Sequence, residues 1–439
     1  MELQPRPPRP GCVQRRRPLR RGAGQAGRGA AQLHRPRQHR GHRPERPVHR
    51  HAAADRVRGD PGRGRDGLPV RGRRRRGAGR RGCRAERGEP AGDGGLTVDL
   101  SLTEDQQALR GSVAELFAGQ ATSERVRAAE AVGHDPALWR VLVQSGIPTM
   151  GVAEELGGGG ATVADLVVVA IEAGRRVAPV ALPEALTAAA LLAASPAGAD
   201  LLAGVGEGDV VPTVALRPLR NGTAGPVPGA AVADVVVALD GDELVALSRP
   251  EGVAAEPLPD LGGAALAEVA TTVWSQRLVL ATGDEARGAH DDAVSLWRVL
   301  TAAALEGLRQ EALRIGVEYV KDRHAFGVPI AWFQTVQHRL AEVATAGDGA
   351  ELLVHEAAWA RDTGDPRAAA LARMALLFAA ETAQQTAAAS LHFHGGYGFT
   401  LEYDIQLYYR RAKAWPLALG APRHELRALA ADLFAGEAA

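Results

Sequence analysis

The sequence predicts a mainly α fold in three parts: an N-terminal helical domain over residues 98–196, a small, reduced β domain over 197–285 and a C-terminal four-helix bundle over 286–439. A disordered Arg/Gly/Pro-rich segment is expected before them, over residues 1–97. Three observations lead to this reading. Helical periodicity with clear start signals occupies the first and last parts. Short apolar runs punctuated by Gly, Pro and Asp separate them, the pattern of strands and turns. The first 97 residues hold nothing from which a core could form.

That leading segment contains 27 Arg and 8 acidic residues and no Lys, Phe, Tyr, Trp, Ile or Ser. Its formal charge of +19 offsets −18 in the remaining 342 residues, so the overall net charge of +1 describes neither part. Without large apolar side chains nothing offsets the entropy of ordering the backbone. A secretory signal would need an apolar stretch of about 7 to 15 residues, and none is present. Across the chain only Lys321 and Lys413 are lysine, the codon bias of GC-rich DNA, and no Met lies between Met1 and Met150. The segment therefore reads as out-of-frame translation ahead of a mis-annotated start, with Val98 as an alternative first residue.

From Thr103 the chain changes character. Thr103 followed by Gln106 at the third helical position is a capping box, Glu104 and Asp105 suit the helix dipole, and Leu109, Val113, Leu116 and Phe117 recur at helical spacing. Asp135-Pro136, an N-cap and a first-turn proline, predicts a second helix ending near Gly146. After the loop at residues 157–160, Thr162 opens a third helix to about Arg176, and residues 183–194 form a fourth. Residues 210–216, 232–239 and 243–247 are the expected strands. Long helices are then predicted over residues 293–323, 333–361 and from Asp365-Pro366 to about Ser390.

Composition also excludes. Cys12 and Cys83 both lie in the leading segment, so neither a disulfide framework nor a cysteine metal site is expected in the folded part, and no metal ligands are assigned. The longest apolar runs, such as residues 163–171 with Asp165 inside, fall short of the roughly 18 residues that span a bilayer. A cytoplasmic body without membrane contact is expected. An acidic body also argues against a nucleic-acid partner.

The chemistry-bearing motifs lie in the last third. In Arg323-His324-Ala325-Phe326-Gly327 a guanidinium closes one long helix and can pair with a diphosphate, and Gln334 near the start of the next can bond a base or ribose. His394-Gly395-Gly396-Tyr397-Gly398-Phe399-Thr400 lets backbone N–H groups approach a ligand, although a helix stop followed by a turn uses the same residues. Residues 409–415, Tyr-Arg-Arg-Ala-Lys-Ala-Trp, read as a solvated or interface helix face.

In this order, over essentially residues 98–439, these motifs resemble the acyl-CoA dehydrogenase family, in its Arg-rich, actinobacterial-type branch. The resemblance implies an FAD-dependent α,β-dehydrogenation of an acyl-CoA, of fatty acyl or steroid side-chain type, with electrons leaving through an electron-transfer flavoprotein. It implies FAD at a subunit interface, contacted by Arg323, Phe326 and Gln334 of one subunit and by His392, Gly395 and Gly396 of another. His392 stands where the family more often has Gln.

The catalytic base departs from the pattern. After Arg410-Arg411-Ala412-Lys413 the family's Tyr-Glu-Gly-Thr falls on Ala418, Leu419, Gly420 and Ala421, so Leu419 occupies the place of the glutamate. The alternative position, on the helix before Arg323, falls on Trp297. Ala421 and Arg423 replace nucleotide-contacting Thr and Gln, and residues 206–250 hold no counterpart of the family's Thr-Glu-Pro-x-Ala-Gly-Ser-Asp loop. Glu402, His424 and Glu425 are the nearby titratable groups. Two readings follow: a base-lacking subunit of a heteromeric dehydrogenase, paired with a base-bearing homologue, or an active homo-oligomer with an unrecognised base.

Overall fold

The computed structural model describes residues 98–434, and the expectations of disorder and of a mis-annotated start fall outside the described residues. Helix α1 (Glu104–Gln120) starts as its sequence dictates: the Thr103 hydroxyl accepts from the Gln106 N–H and the Gln106 carboxamide accepts from the Thr103 N–H. A six-residue α2 (Ser123–Ala128) follows, too short to show a period in sequence. Asp135 caps α3 (Pro136–Gln144) through Ala137 and Leu138 N–H groups, and Thr162 with Asp165 caps α4 (Val163–Arg175). Helix α5 (Leu182–Ala193) is joined by α6 (Ala199–Glu207), which lies inside the span expected to be β and stops at Gly208.

Six short strands come next: β1 (Pro212–Val214), β2 (Thr223–Val227), β3 (Val235–Asp240), β4 (Glu243–Ser248), β5 (Ala267–Ala270) and β6 (Gln276–Thr282). One sheet runs β1-β3-β4-β6, with β1 parallel to β3 and the other pairs antiparallel, and β2 and β5 form a second, antiparallel sheet. Strand β3 explains why its sequence is apolar without alternation. Val235, Val237 and Leu239 enter the main core, while Val236 and Ala238 face a second core shared with Val227 and Val269. Both faces are covered, so both must be apolar.

Helix α7 (Gly283–Asp322) runs for 40 residues, about 60 Å at 1.5 Å per residue. It begins ten residues earlier than periodicity predicts, because its first turns bury only Ala286 and His290. A two-stranded hairpin, β7 (His324–Ala325) and β8 (Val328–Pro329), leads to α8 (Gln334–Asp362), α9 (Ala368–His394), α10 (Ile405–Ala414) and α11 (Pro422–Phe434). The expected proline start of α9 is corrected. Asp365 and Pro366 form a turn in which the Asp365 carboxylate takes the Arg367 N–H, and the helix starts at Ala368.

Helices α7 and α9 lie parallel, with α8 returning between their ends. Ser390 donates to the Ala312 carbonyl at 2.7 Å and Tyr319 stacks on His394 at 3.8 Å between ring centroids, so the two C-termini meet at one end of the bundle. Helix α4 crosses α7 at glycines: a Cβ on Gly174 would sit 1.9 Å from the Ala304 carbonyl oxygen, and one on Gly307 1.8 Å from that of Ile171. Among the described residues no helix is long and apolar enough to cross a membrane.

Candidate active site and flavin face

A cavity of about 310 Å³ lies where α4, α5 and α7 meet the β domain and the segment after α10. Its size is that of a small-ligand site. The close α4–α7 crossing supplies small walls, Ala170, Gly174 and Ala304, and Leu417 and Ala418 close another side. Leu419, expected to stand at the base position, is half-buried and packs against the main core. Gly420 follows at φ +98°, a backbone shape that L side chains rarely adopt.

Trp297, expected at the alternative base position, is fully buried, and its indole Nε1 donates to Glu184 Oε1 at 2.9 Å. Sequence reasoning missed Glu184. In Pro183-Glu184, at the start of a helix, it reads as a dipole partner, yet it is buried and lines the cavity. Burial pushes its carboxyl above the ordinary range, against the lowering effect of the Trp297 hydrogen bond. One turn along α7 Thr301 also lines the cavity, its hydroxyl buried and without a hydrogen-bond partner.

The other titratable candidates are placed elsewhere. Glu425 is held by Arg298 at 2.8 Å and Arg373 at 3.1 Å, which makes it an ion-pair anchor for α11. Glu402 and His424 are exposed, and neither lines the cavity. The basic face over residues 409–415, expected to be solvated or an interface, is an interface between parts of the chain: Arg411 is buried, and with Arg410 it reaches Glu130 of the helical domain. Arg410 also donates to the Leu261 carbonyl, so this basic helix ties the three parts together.

The residues expected to contact a nucleotide are exposed and share one end of the bundle. Arg323 caps α7, makes no ion pair among the described residues, and precedes a hairpin whose tip, Phe326 and Gly327, lies at φ +55° and +84°. These are the paired positive angles of a tight type I′ turn. For phenylalanine that conformation is strained, and the ring it projects is 96% exposed and edge-on to Phe333. Gln334 opens α8. From α9, His392 is exposed, and Gly395 ends the helix at φ +61° and ψ −140°. At both Gly395 and Gly396 a Cβ would meet open space, so the turn is bare toward solvent.

Two family profiles match the chain, "Acyl-CoA dehydrogenase, N-terminal domain" over residues 103–197 and "Acyl-CoA dehydrogenase, C-terminal domain" over residues 291–434. The chain is similar to acyl-CoA dehydrogenase IpdE2 of Mycolicibacterium smegmatis, 33% identical over 338 residues, covering 76% of this chain and 100% of that protein. Among solved structures it is similar to a Tcur3481-Tcur3483 steroid ACAD variant, with TM-score 0.68, 28% identity, and coverage of 76% of this chain and 99% of that one. It is likewise similar to the ChsE4-ChsE5 complex from Mycobacterium tuberculosis, with TM-score 0.67, 27% identity and coverage of 76% and 99%. With helical domain, small β domain and bundle in the same order, the chain belongs to the acyl-CoA dehydrogenase family.

Proposed function

We propose that this chain is the base-lacking subunit of a heteromeric acyl-CoA dehydrogenase, providing half of an FAD site to a homologue that carries the base. The observation that carries the reading is Leu419 beside Gly420: the loop keeps its glycine at φ +98° while the proton-accepting side chain is an alkyl group. The similarity to the ChsE4-ChsE5 complex and to a Tcur3481-Tcur3483 steroid ACAD, each named for two components, supports a paired assembly.

The residues fit one half of an FAD site. The Arg323 guanidinium suits a diphosphate and the Gln334 carboxamide suits a base or ribose. Phe326, Trp332 and Phe333 form an exposed apolar rim beside them, 96%, 68% and 37% accessible, which a partner subunit would cover. The bare turn at Gly395 and Gly396, with His392, lies at the same end of the bundle, where no side chain stands between a ligand and the backbone. The β-domain loop that touches flavin in the family has no counterpart in residues 206–250. When bound, FAD supplies the hydride acceptor for α,β-dehydrogenation, and the electrons pass on to an electron-transfer flavoprotein.

The second reading, an active homo-oligomer, is favoured by one observation. Glu184 is a carboxyl group inside the cavity and within hydrogen-bond reach of Trp297, the alternative base position. Flavin content separates the two. The subunit reading predicts little FAD on the purified chain alone and about one FAD per heterodimer after co-expression with a base-bearing homologue. Full flavin loading of the chain alone would favour the homo-oligomer.

A further inference from the structure

The cavity has a buried floor and a charged mouth. Glu184, Trp297 and Ala304 at its inner end are buried, whereas Arg217 and Leu417 at the other end are exposed. Among the described residues Arg217 is the sole cation of the lining, and it makes no hydrogen bond or ion pair with any of them. Its place is nonetheless defined. A Cβ on Gly225 of β2 would lie 3.1 Å from one terminal nitrogen of the guanidinium, and a Cβ on Gly420 would lie 3.9 Å from the other. The cation therefore bridges the gap between β2 and the loop that carries Leu419. The two carboxyl groups of the lining do not answer it. Asp260 accepts the Gly262 and Ala264 N–H groups at 2.8 and 2.7 Å, one on each oxygen, and its charge acts on the buried Arg411. Glu184 lies on the floor and takes the Trp297 indole.

We propose that Arg217 anchors a carboxylate carried directly on an apolar body, the body filling the cavity and the carboxylate closing its mouth. The guanidinium presents a fork of N–H donors that matches a carboxylate bidentately. In open water such a pair is worth little, but an apolar body seated below it excludes solvent and strengthens it. The apolar walls border the same cavity as Arg217, so anion and body are close neighbours in the ligand. A phosphate of CoA does not meet this condition, since the pantetheine arm separates it from the acyl group. The carboxylate has two sources, a free carboxylic acid or a second carboxyl group on the acyl chain of a CoA thioester. The assignment goes beyond the subunit reading and does not rest on it, because it invokes no base, flavin or partner chain.

The test is calorimetric binding to the full-length chain of two matched pairs, octanoate against octanol and suberoyl-CoA against octanoyl-CoA. In at least one pair the member with the added carboxylate is expected to bind about tenfold tighter. Preference in the first pair identifies a free acid as the source, and preference in the second a carboxyl-bearing acyl group. Arg217→Met should bring the ratio to about one without weakening the other member, and Arg217→Lys, which keeps the charge but loses the fork, should retain part of it. No preference in either pair, a preference that survives Arg217→Met, or no binding of any of the four compounds would overturn the assignment. So would an equal loss of octanoyl-CoA and suberoyl-CoA binding in Arg217→Met, which would put a CoA phosphate at the cation instead. Binding needs no turnover, so catalysis by the chain alone would refute the subunit reading and leave this one standing.

Discussion

The indole of Trp297 donates a 2.9 Å hydrogen bond to Glu184 across 113 residues of sequence, joining α7 to the first turn of α5 in the wall of the cavity. The pair places an acid in the cavity wall, and its first consequence is thermodynamic. Burial holds the Glu184 carboxyl above its ordinary value of 4.5, so the folded state retains a proton that the unfolded chain releases. This contribution to stability is complete below pH 4.5 and is lost as pH rises through the folded value. Glu184→Gln keeps the acceptor for Trp297 and never ionises. Its Tm should exceed that of the native chain by about 2 °C or more at pH 8, with the gap closing toward pH 4.5. An equal gap at both pH values would contradict this.

The α4–α7 crossing predicts a steric threshold. Gly174→Ala and Gly307→Ala would each drive a methyl group into a backbone carbonyl of the facing helix, which cannot swing aside as a side chain can. Each should cost about 3 kcal/mol or more and reshape the cavity wall. Gly288→Ala, in open space on the same α7, should instead stabilise by up to about 1 kcal/mol. Denaturant midpoints of the three variants check the contrast.

At the hairpin tip the strain of Phe326 should be separable from its use. Phe326→Asn gives an Asn-Gly pair suited to both positive φ angles, so the isolated subunit should gain about 1 kcal/mol. Flavin content of the assembled enzyme should fall, because the 96% exposed ring is lost from the nucleotide face. A stabilised variant with unchanged flavin absorbance would detach Phe326 from that face.

Leu419→Glu tests whether the loop remains a base-bearing loop. On the base-loop reading, Leu419→Glu in chain reconstituted with excess FAD should gain about 10² to 10⁴ in acyl-CoA oxidation. Unchanged rates in a folded, flavin-loaded variant would place the base position elsewhere.

What could be read in the sequence was what neighbours in sequence decide. Thr103 with Gln106 and Asp135 before Pro136 form local hydrogen bonds, so their helix starts were visible. Strand β3 was visible because both its faces are apolar. The first turns of α7 were not, since they bury almost nothing, and neither were the two-residue strands of the 324–329 hairpin, too short to carry a period. The site divides the same way. Arg323, Gln334 and the glycine turn are motif residues at helix ends, whereas Glu184 becomes a cavity residue only when α7 packs over α5. Arg411 looked like a surface charge because its partner Glu130 lies 281 residues away.

On the proposed reading, Leu419 leaves this subunit without its own base. Acyl-CoA oxidation is measured with an artificial electron acceptor on the flavin-reconstituted chain alone and on the same chain co-purified with a base-bearing homologue. The expected result is background turnover from the chain alone and turnover in the complex that is abolished by removing the homologue's glutamate. Robust turnover by the chain alone, lost on Glu184→Gln, would contradict the claim and make Glu184 the base.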